Sequence, residues 1–244
     1  MNVQQDLGVQ SWCFREFKST DALLAQLTAL GLTRVELCDL HLPLADESAW
    51  PAFLAKFRAA NIQISSIGVQ TFRNNEPEED RWFRFCRAAG ATMISAHFDL
   101  DSTPAAYRTA EKLAEKYDLP VAIHNHGGYH WTGNAMMLEY IFKHAGDRIA
   151  LCIDTAWCLQ AGEDPLKWAE RFRDRLVGVH LKDFRFTPDG KWEDVVLGEG
   201  ALKLREFLQL VLAAPRLATL TIEYEGDVHN PLPRLRECVQ RVRQ

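Results

Sequence analysis

Several features that would assign this chain to a membrane, to the cell exterior or to a disulfide-stabilised fold are missing from its sequence. No apolar run approaches the roughly 20 residues of a membrane span. The opening MNVQQDLGVQ lacks the basic start and the apolar core of a signal peptide. The six cysteines are scattered without a C-x-x-C pair, which is typical of separate thiols in a reducing compartment. We therefore expect a cytoplasmic protein.

An excess of positive charge is also missing. Lys and Arg number 28 against 33 Asp and Glu, and the formal net charge is −5. Nucleic acid and anionic membranes are therefore not expected as main partners, because both bind proteins largely through Lys and Arg. The hydrophobic fraction of 47% and the charged fraction of 25% are ordinary for a globular protein. A chain of 244 residues is long enough to bury a large core, in one domain or in two.

Short apolar segments rich in β-branched residues alternate with helical patterns along the whole chain. The eight predicted strands begin at Leu7, Arg34, Ile62, Thr92, Pro120, Ile149, Leu176 and Thr219. One βα unit every ~25–30 residues, repeated eight times, predicts an α/β fold with a single (β/α)8 TIM barrel domain over residues 1–244. A doubly wound open sheet is the competing fold, but it usually needs a glycine-rich first βα turn, and none follows LGVQSW.

The seventh connection is longer than the others. Residues 184–200 read FRFTPDGKWEDVVLGEG, a polar segment with a PDG turn before the next helical pattern. Long connections of this kind in a compact domain are usually functional. We therefore predict a lid loop at 184–200, over the carboxyl end of the barrel.

Polar residues collect at one end of the predicted strands. Seven of the eight histidines fall at or just after a strand, and only His144 lies in a predicted helix. In a barrel, these carboxyl ends form the face that carries catalytic groups. Imidazoles and carboxylates that converge there from separate strands suit a catalytic divalent ion with open coordination positions. The candidate ligands are His124, Asp154, His180 and Glu223.

Other strand-end residues have two interpretations. Glu36, His97 and Lys182 either act directly on a substrate or serve as ordinary hydrogen-bonding residues. Alternation along a strand places Lys182 on the same inner face as His180. Packing is the preferred interpretation for a further group, namely Cys38, Cys158 and His41.

Six segments resemble one known family when taken together. They are GLTRVELCD, IHNHGG, CIDTAW with GEDP, GVHLKD, LGEG and TIEYEG, in this order along nearly the whole chain. The sequence resembles the sugar phosphate isomerase/epimerase family of xylose isomerase-like TIM barrels, which also includes inosose dehydratases and ketose epimerases. The resemblance implies one divalent ion, manganese above zinc, iron or magnesium. Its ligands would be an acid on the fifth strand, then Asp154, His180 and Glu223. It also matches Glu36 and the Lys182–Asp183 pair to family positions.

Two departures from the family pattern stand out. The fifth strand ends in His124-Asn125-His126 where many members have E-N-H, so one carboxylate is replaced by imidazole. With His124 as ligand, the site favours manganese, iron or zinc over magnesium, although His126 or His130 could instead supply the ligand. On the sixth strand, Trp157 stands where many members have a histidine, and its apolar plate suits stacking on a sugar ring.

These parts predict a metal-dependent isomerase or epimerase of a sugar or keto-sugar, which removes an α-proton and forms a metal-stabilised enediolate. Glu223 is the expected base, with His124, His126 or a water returning the proton and Lys182 assisting. The predicted substrate contacts are Glu36, His97, Asn125, His126, Trp157 and Arg185. Because Lys182 and Arg185 are the only strong cationic candidates at the strand ends, an unphosphorylated sugar is favoured.

Other functions stay open from the sequence. A lyase or dehydratase that eliminates from an inosose or a 3-keto-glycoside starts with the same proton abstraction. A barrel that has lost catalysis and serves as a sugar-binding or partner protein is conceivable, because one family carboxylate is missing. An endonuclease for abasic DNA would need more metal ligands and a basic surface. A homodimer is compatible with the sequence, which gives no means of counting subunits.

Overall fold

Eight parallel strands form a closed barrel in the computed structural model, which describes residues 1–128 and 130–244. The barrel strands are β1 Leu7–Gln10, β2 Arg34–Leu37, β3 Gln63–Phe72, β4 Met93–Phe98, β5 Val121–His124, β6 Ile149–Asp154, β7 Leu176–Leu181 and β10 Thr219–Ile222. Strands β8 Phe184–Phe186 and β9 Trp192–Asp194 form a separate two-stranded sheet. The pairing of β10 with both β7 and β1 closes the barrel. The predicted (β/α)8 fold is therefore confirmed.

After a short first helix that precedes β1, helices alternate with the barrel strands as expected. The α-helices are α1 Val3–Asp6, α2 Thr20–Leu30, α3 Trp50–Ala59, α4 Glu76–Ala89, α5 Ala105–Tyr117, α6 Ala135–His144, α7 Thr155–Gln160, α8 Pro165–Arg171, α9 Leu204–Leu212 and α10 Leu232–Arg243. Four short 3-10 helices span Ser11–Phe14, Asp39–His41, Glu47–Ala49 and Leu100–Ser102. In the part of the chain that the structure describes, no helix combines the length and apolar character needed to cross a bilayer.

Local sequence explains where α2 begins and ends. The Ser19 side chain accepts a hydrogen bond from the Ala22 N–H, which satisfies one free donor of the first turn. Gly31 ends the helix with a φ of 76°, a left-handed conformation that costs glycine little. Between these caps, Leu23 and Leu27 are completely buried against the barrel.

The main core lies between the strands and the helices, and a second small cluster lies among β4, β5, β6 and β7. The second cluster contains Met93, Ala122, Ala150, Cys152 and Val177. Side chains two residues apart on a strand share a face, so Ala122 lies below His124 and Cys152 lies below Asp154. An apolar floor therefore supports the polar residues at the carboxyl ends of the strands.

The predicted lid segment is more regular than a loop. Strands β8 and β9 pair antiparallel, with Phe184 opposite Asp194 and Phe186 opposite Trp192. The carboxylate of Asp183, just before this hairpin, accepts N–H bonds from Gly198, Gly200 and Leu202 at 2.9–3.0 Å.

Only glycine fits at position 200 of this segment. A Cβ at Gly200 would lie 2.4 Å from Asp183 Oδ1 and 2.4 Å from the Phe184 carbonyl oxygen. The L-G-E-G and H-L-K-D segments are therefore joined by one buried carboxylate, which fixes the base of the hairpin beside the barrel.

Candidate metal centre

Four side chains from neighbouring strands converge at the carboxyl end of the barrel. His124 ends β5, Asp154 ends β6, His180 lies in β7 and Glu223 follows β10. One potential ligand atom from each lies within 4.8 Å of the other three, and all four residues are buried. His124 Nε2 lies 3.0 Å from His180 Nδ1, which lies 2.7 Å from Glu223 Oε2. Asp154 Oδ2 lies 3.6 Å from His124 Nε2.

These separations fit a shared divalent cation. Ligand atoms bound at 2.0–2.2 Å to one ion lie roughly 3–4 Å from one another. Asp154 Oδ2 is buried and accepts no hydrogen bond from any residue that the structure describes. Leaving a buried carboxylate oxygen without a partner is costly, and a cation would provide that partner. Two imidazoles with two carboxylates suit manganese, iron or zinc.

The charge state of each ligand follows from its surroundings. Burial, assisted by the charge of His180, lowers the pKa of His124 to about 3, so its imidazole is neutral. Burial raises the pKa of Asp154 to about 6, against the opposing charge of Lys182. Burial would also raise the pKa of Glu223, but Lys182 and His180 outweigh it and hold that pKa well below its ordinary value. Glu223 is therefore the firmly ionised carboxylate of the group.

Glu36 lies behind His180. Its carboxylate accepts hydrogen bonds from Gln10 Nε2 at 2.7 Å, Ser66 Oγ at 2.5 Å and Ser95 Oγ at 3.1 Å. Glu36 Oε1 also lies 2.9 Å from His180 Nε2, out of line for a hydrogen bond. Burial opposes ionisation of Glu36, but the charge of His180 and the hydrogen bonds lower its pKa. The structure thus places this predicted substrate contact against a metal-ligand candidate.

Asn125 has both ends of its amide occupied. Its Nδ2 donates to the Asp154 carbonyl oxygen at 3.0 Å, and its Oδ1 accepts the Asp154 N–H at 2.8 Å. Asp154 Oδ1 in turn accepts the Trp157 N–H at 2.8 Å and caps α7. Asn125 is completely buried, so it fixes the backbone of Asp154 and has no free polar atom to offer a sugar.

Lys182 is completely buried among carboxylates. Its Nζ lies 3.4 Å from Glu223 Oε1 and 4.0 Å from Asp194 Oδ1, and it donates to Glu225. Burial lowers the pKa of Lys182, but these carboxylates more than reverse the effect and raise it. Burial raises the pKa of Asp194 to about 6, against the charge of Lys182.

Two of the carboxylates around Lys182, those of Glu225 and Asp194, were not among the predicted site residues. Glu225 shares the strand alternation of Glu223, which is a usable signal in the sequence. Asp194 comes from the hairpin strand β9, and no periodicity in the sequence points to it.

A cleft of about 420 Å³ opens onto the four-ligand cluster. Its lining residues are Gln10, Trp12, Cys38, Asp39, Leu40, Gly68, Val69, His124, His126, Trp157, Glu223 and Glu225. Within the described residues, this lining contains no Lys or Arg. The half-buried ring of Trp157 lies 5.5 Å from the ring of His126, centroid to centroid. Predicted Arg185 lies instead on the exposed part of the hairpin, where it pairs with Glu193 at 3.1 Å.

Three further imidazoles lie beside the metal-ligand candidates. The ring centroid of His97 lies 4.5 Å from that of His126 and 4.7 Å from that of His130. Burial and neighbouring histidines lower the pKa of His97 to about 2 and that of His126 to about 3. His130 Nδ1 is hydrogen-bonded to the Thr132 hydroxyl at 2.8 Å. Among the fifth-strand histidines, only His124 belongs to the four-ligand cluster of the described residues.

The chain belongs to the xylose isomerase-like TIM barrel family, whose sequence profile matches residues 24–244. The resemblance inferred from the motifs is therefore confirmed, and the superfamily includes enzymes that act on sugars. The 3-oxo-isoapionate decarboxylase of Pectobacterium atrosepticum is 22% identical over 218 residues, which cover 83% of this chain and 76% of the relative.

Solved structures show the same fold at low identity. A xylose isomerase-like TIM barrel protein from Mycobacterium smegmatis, in complex with magnesium, has a TM-score of 0.78 and 15% identity. That alignment covers 99% of this chain and 97% of the other. The IolI protein with a bound zinc atom has a TM-score of 0.76 and 14% identity, with coverage of 96% and 95%.

Proposed function

We propose that this protein is a divalent-metal-dependent isomerase or epimerase of a sugar or keto-sugar. The observation that carries the proposal is the buried group of His124, Asp154, His180 and Glu223, which meets a cleft at the carboxyl end of the barrel. This face carries the active site in TIM-barrel enzymes. Membership of a family with sugar-processing enzymes supports the same assignment.

These four residues are the proposed holders of the ion. When bound, a divalent ion would act as a Lewis acid that polarises a substrate carbonyl and stabilises the negative charge left by the departing α-proton. The donor set favours manganese, iron or zinc over magnesium. Related barrels with zinc or magnesium support a divalent ion in general, and metal analysis of this protein would identify the one it uses.

Glu223 is the proposed base. It lines the cleft, and Lys182 Nζ at 3.4 Å keeps its carboxylate ionised and ready to accept a proton. Once protonated, the Glu223 carboxyl is also the proposed group that returns the proton, to the neighbouring carbon of the enediolate, and His126 lines the cleft beside it with a neutral imidazole. Lys182 is enclosed by three carboxylates, and we assign it to holding the charge and position of Glu223.

The proposed substrate is an unphosphorylated, uncharged sugar. The described lining of the cleft has no Lys or Arg to pair with a phosphate, and it presents the carboxylates of Asp39, Glu223 and Glu225. Trp12 and Trp157 supply aromatic surfaces on which the apolar face of a sugar ring can stack. A phosphorylated sugar would meet net negative charge wherever the proposed ion does not neutralise it.

A lyase is the second candidate, and the decarboxylase relative favours it. Loss of carbon dioxide from a 3-oxo acid leaves negative charge next to a carbonyl, as α-proton removal does, so the same residues could serve either reaction. Elimination from an inosose or a 3-keto-glycoside would use Glu223 for the same first step. The isomerase assignment is preferred because a carboxylate substrate meets no cationic side chain in the described cleft lining.

A solvent-exchange assay tests the proposal. Metal-loaded protein would be incubated in D₂O with free sugars, phosphorylated sugars, inososes and 3-keto-glycosides, and NMR would follow deuterium at the α-carbon and any loss of water or carbon dioxide. We expect exchange with an unphosphorylated sugar, and its loss in Asp154→Asn and His180→Gln. Asp189→Asn, an exposed carboxylate on the hairpin, is the matched control and should retain full exchange.

Each other outcome of this assay would reject the assignment. Elimination or decarboxylation without isomerised product would identify a lyase. Sugar binding without any exchange would identify a non-catalytic barrel. Full exchange in both Asp154→Asn and His180→Gln would show that the reaction does not use a metal at this site.

A further inference from the structure

We propose that His97, His124 and His126 form a second divalent-cation site beside the four-ligand cluster. The three rings come from the end of β4, the end of β5 and the loop after β5. One ring nitrogen of each lies within 4.8 Å of the other two. The first cluster takes two carboxylates, whereas this second group consists of imidazoles alone.

The arrangement of the three rings matches that of histidines around one ion. Their centroids are 4.5 Å apart for His97 and His126, 4.9 Å for His124 and His126, and 5.8 Å for His97 and His124. Imidazoles bound to a tetrahedral ion at about 2.0–2.1 Å place their ring centroids roughly 5 Å apart. The rings are also steeply inclined to one another, at 57–73°, so they do not stack as plates.

Two buried nitrogens of this group have no partner. His97 Nε2 and His124 Nδ1 make no hydrogen bond to any residue that the structure describes. A buried ring nitrogen without a partner costs free energy, so a packing role alone does not account for both. Nearby His130 shows the satisfied alternative, because its Nδ1 contacts the Thr132 hydroxyl at 2.8 Å.

His124 connects the two sites. Its Nε2 faces His180 and Asp154 in the first cluster, which leaves Nδ1 as its remaining nitrogen. With both ions bound, His124 would bridge them as an imidazolate, and its ring proton would be released to water. The second site needs neither carboxylate of the first. An all-imidazole donor set suits zinc, copper, nickel or iron rather than magnesium or calcium, which prefer oxygen ligands. The two sites should therefore differ in the metals that they accept.

Metal counting tests the inference. Tag-free apoprotein would be dialysed against excess zinc and then against excess magnesium, with metal per chain measured by mass spectrometry. We expect two zinc ions per chain in the wild type and one in His97→Gln and in His126→Gln. His144→Gln, an exposed histidine on α6, is the matched control and should retain both. Magnesium should occupy at most the first site.

An anomalous difference map of zinc-soaked wild-type crystals would locate bound zinc directly, without any variant. We expect a peak among the three rings. Saturation of the wild type at one zinc, or two zinc ions in both His97→Gln and His126→Gln, would overturn the inference. Asp154→Asn separates it from the proposed function, because this variant should lose the first ion and keep the second. Failure of the sugar-exchange assay with two zinc ions bound would count against the enzyme assignment alone.

Discussion

Replacing Glu36 with Gln should weaken metal binding without changing any proposed ligand. Glu36 Oε1 lies 2.9 Å from His180 Nε2 and also accepts a hydrogen bond from Gln10, and the charge of the carboxylate raises the basicity of His180. The amide keeps the size of the side chain, and the hydroxyls of Ser66 and Ser95 can rotate to accept its N–H groups. The main loss is therefore the negative charge behind His180.

Loss of such an outer partner typically weakens metal affinity by about 10–100-fold. At ~1.4 kcal/mol per factor of ten, this is about 1.4–2.8 kcal/mol of binding free energy. Competition between the apoprotein and a chromophoric chelator would measure the dissociation constant of the wild type and of Glu36→Gln. Unchanged affinity in Glu36→Gln would refute the role assigned to Glu36.

Glu79→Gln is the matched control for this experiment. Glu79 is also completely buried, but it accepts the N–H groups of Arg73 and Asn75 near the start of α4. We expect Glu79→Gln to lower the free energy of unfolding and to leave the metal dissociation constant unchanged. An equal loss of metal affinity in both variants would show that the effect is general destabilisation.

Three further outcomes are expected. Asp183→Ala removes the acceptor of three backbone N–H groups and should lower the free energy of unfolding by about 3 kcal/mol or more in urea titrations. Trp157→Ala should raise KM about tenfold with little change in kcat, because ring stacking contributes to binding before the reaction begins. In metal-free protein, His97 and His126 should each make a contribution to stability that falls as pH drops below 6.5, because their imidazoles take up protons there in the unfolded chain and titrate only at about 2 and about 3 in the folded one. Asp154 and Asp194, whose folded pKa values are about 6, act in the opposite direction, so wild type and His97→Gln are compared. The slope should reach about 1.4 kcal/mol per pH unit for each histidine, and urea titrations should find it shallower in His97→Gln.

Much of the fold could be predicted from the sequence, because buried parallel strands are continuous apolar runs whose spacing matches a βα unit. Strand ends were less predictable. The sequence marks the start of the sixth strand at Ile149, but β6 stops at Asp154 because that side chain caps α7. The lid segment was predicted as a loop, and its pairing into β8 and β9 depends on contacts between Phe184, Trp157 and Trp192 that no local pattern reveals.

The candidate site was partly predictable for a similar reason. Their positions at strand ends were enough to group His124, Asp154 and His180, because the parallel strands of a barrel bring their carboxyl ends to one face. The sequence did not indicate that both polar atoms of the Asn125 amide bond to the backbone of Asp154. Nor did it indicate that Asp194 contacts Lys182 from the hairpin. Such pairings depend on which side chain fills the space beside another, and this is settled only in the folded chain.

The hairpin has a base and a tip that are held independently. At the base, the Val195 N–H donates to the Asp183 carbonyl oxygen at 3.1 Å. At the tip, the hydrogen bonds given by the Thr187 and Gly190 N–H groups are internal to residues 187–191, at 2.9 Å each. The tip can therefore be exchanged as a module. Grafting turns of other lengths between Phe186 and Trp192 would test whether the hairpin controls entry to the cleft, while the metal-ligand candidates keep their positions.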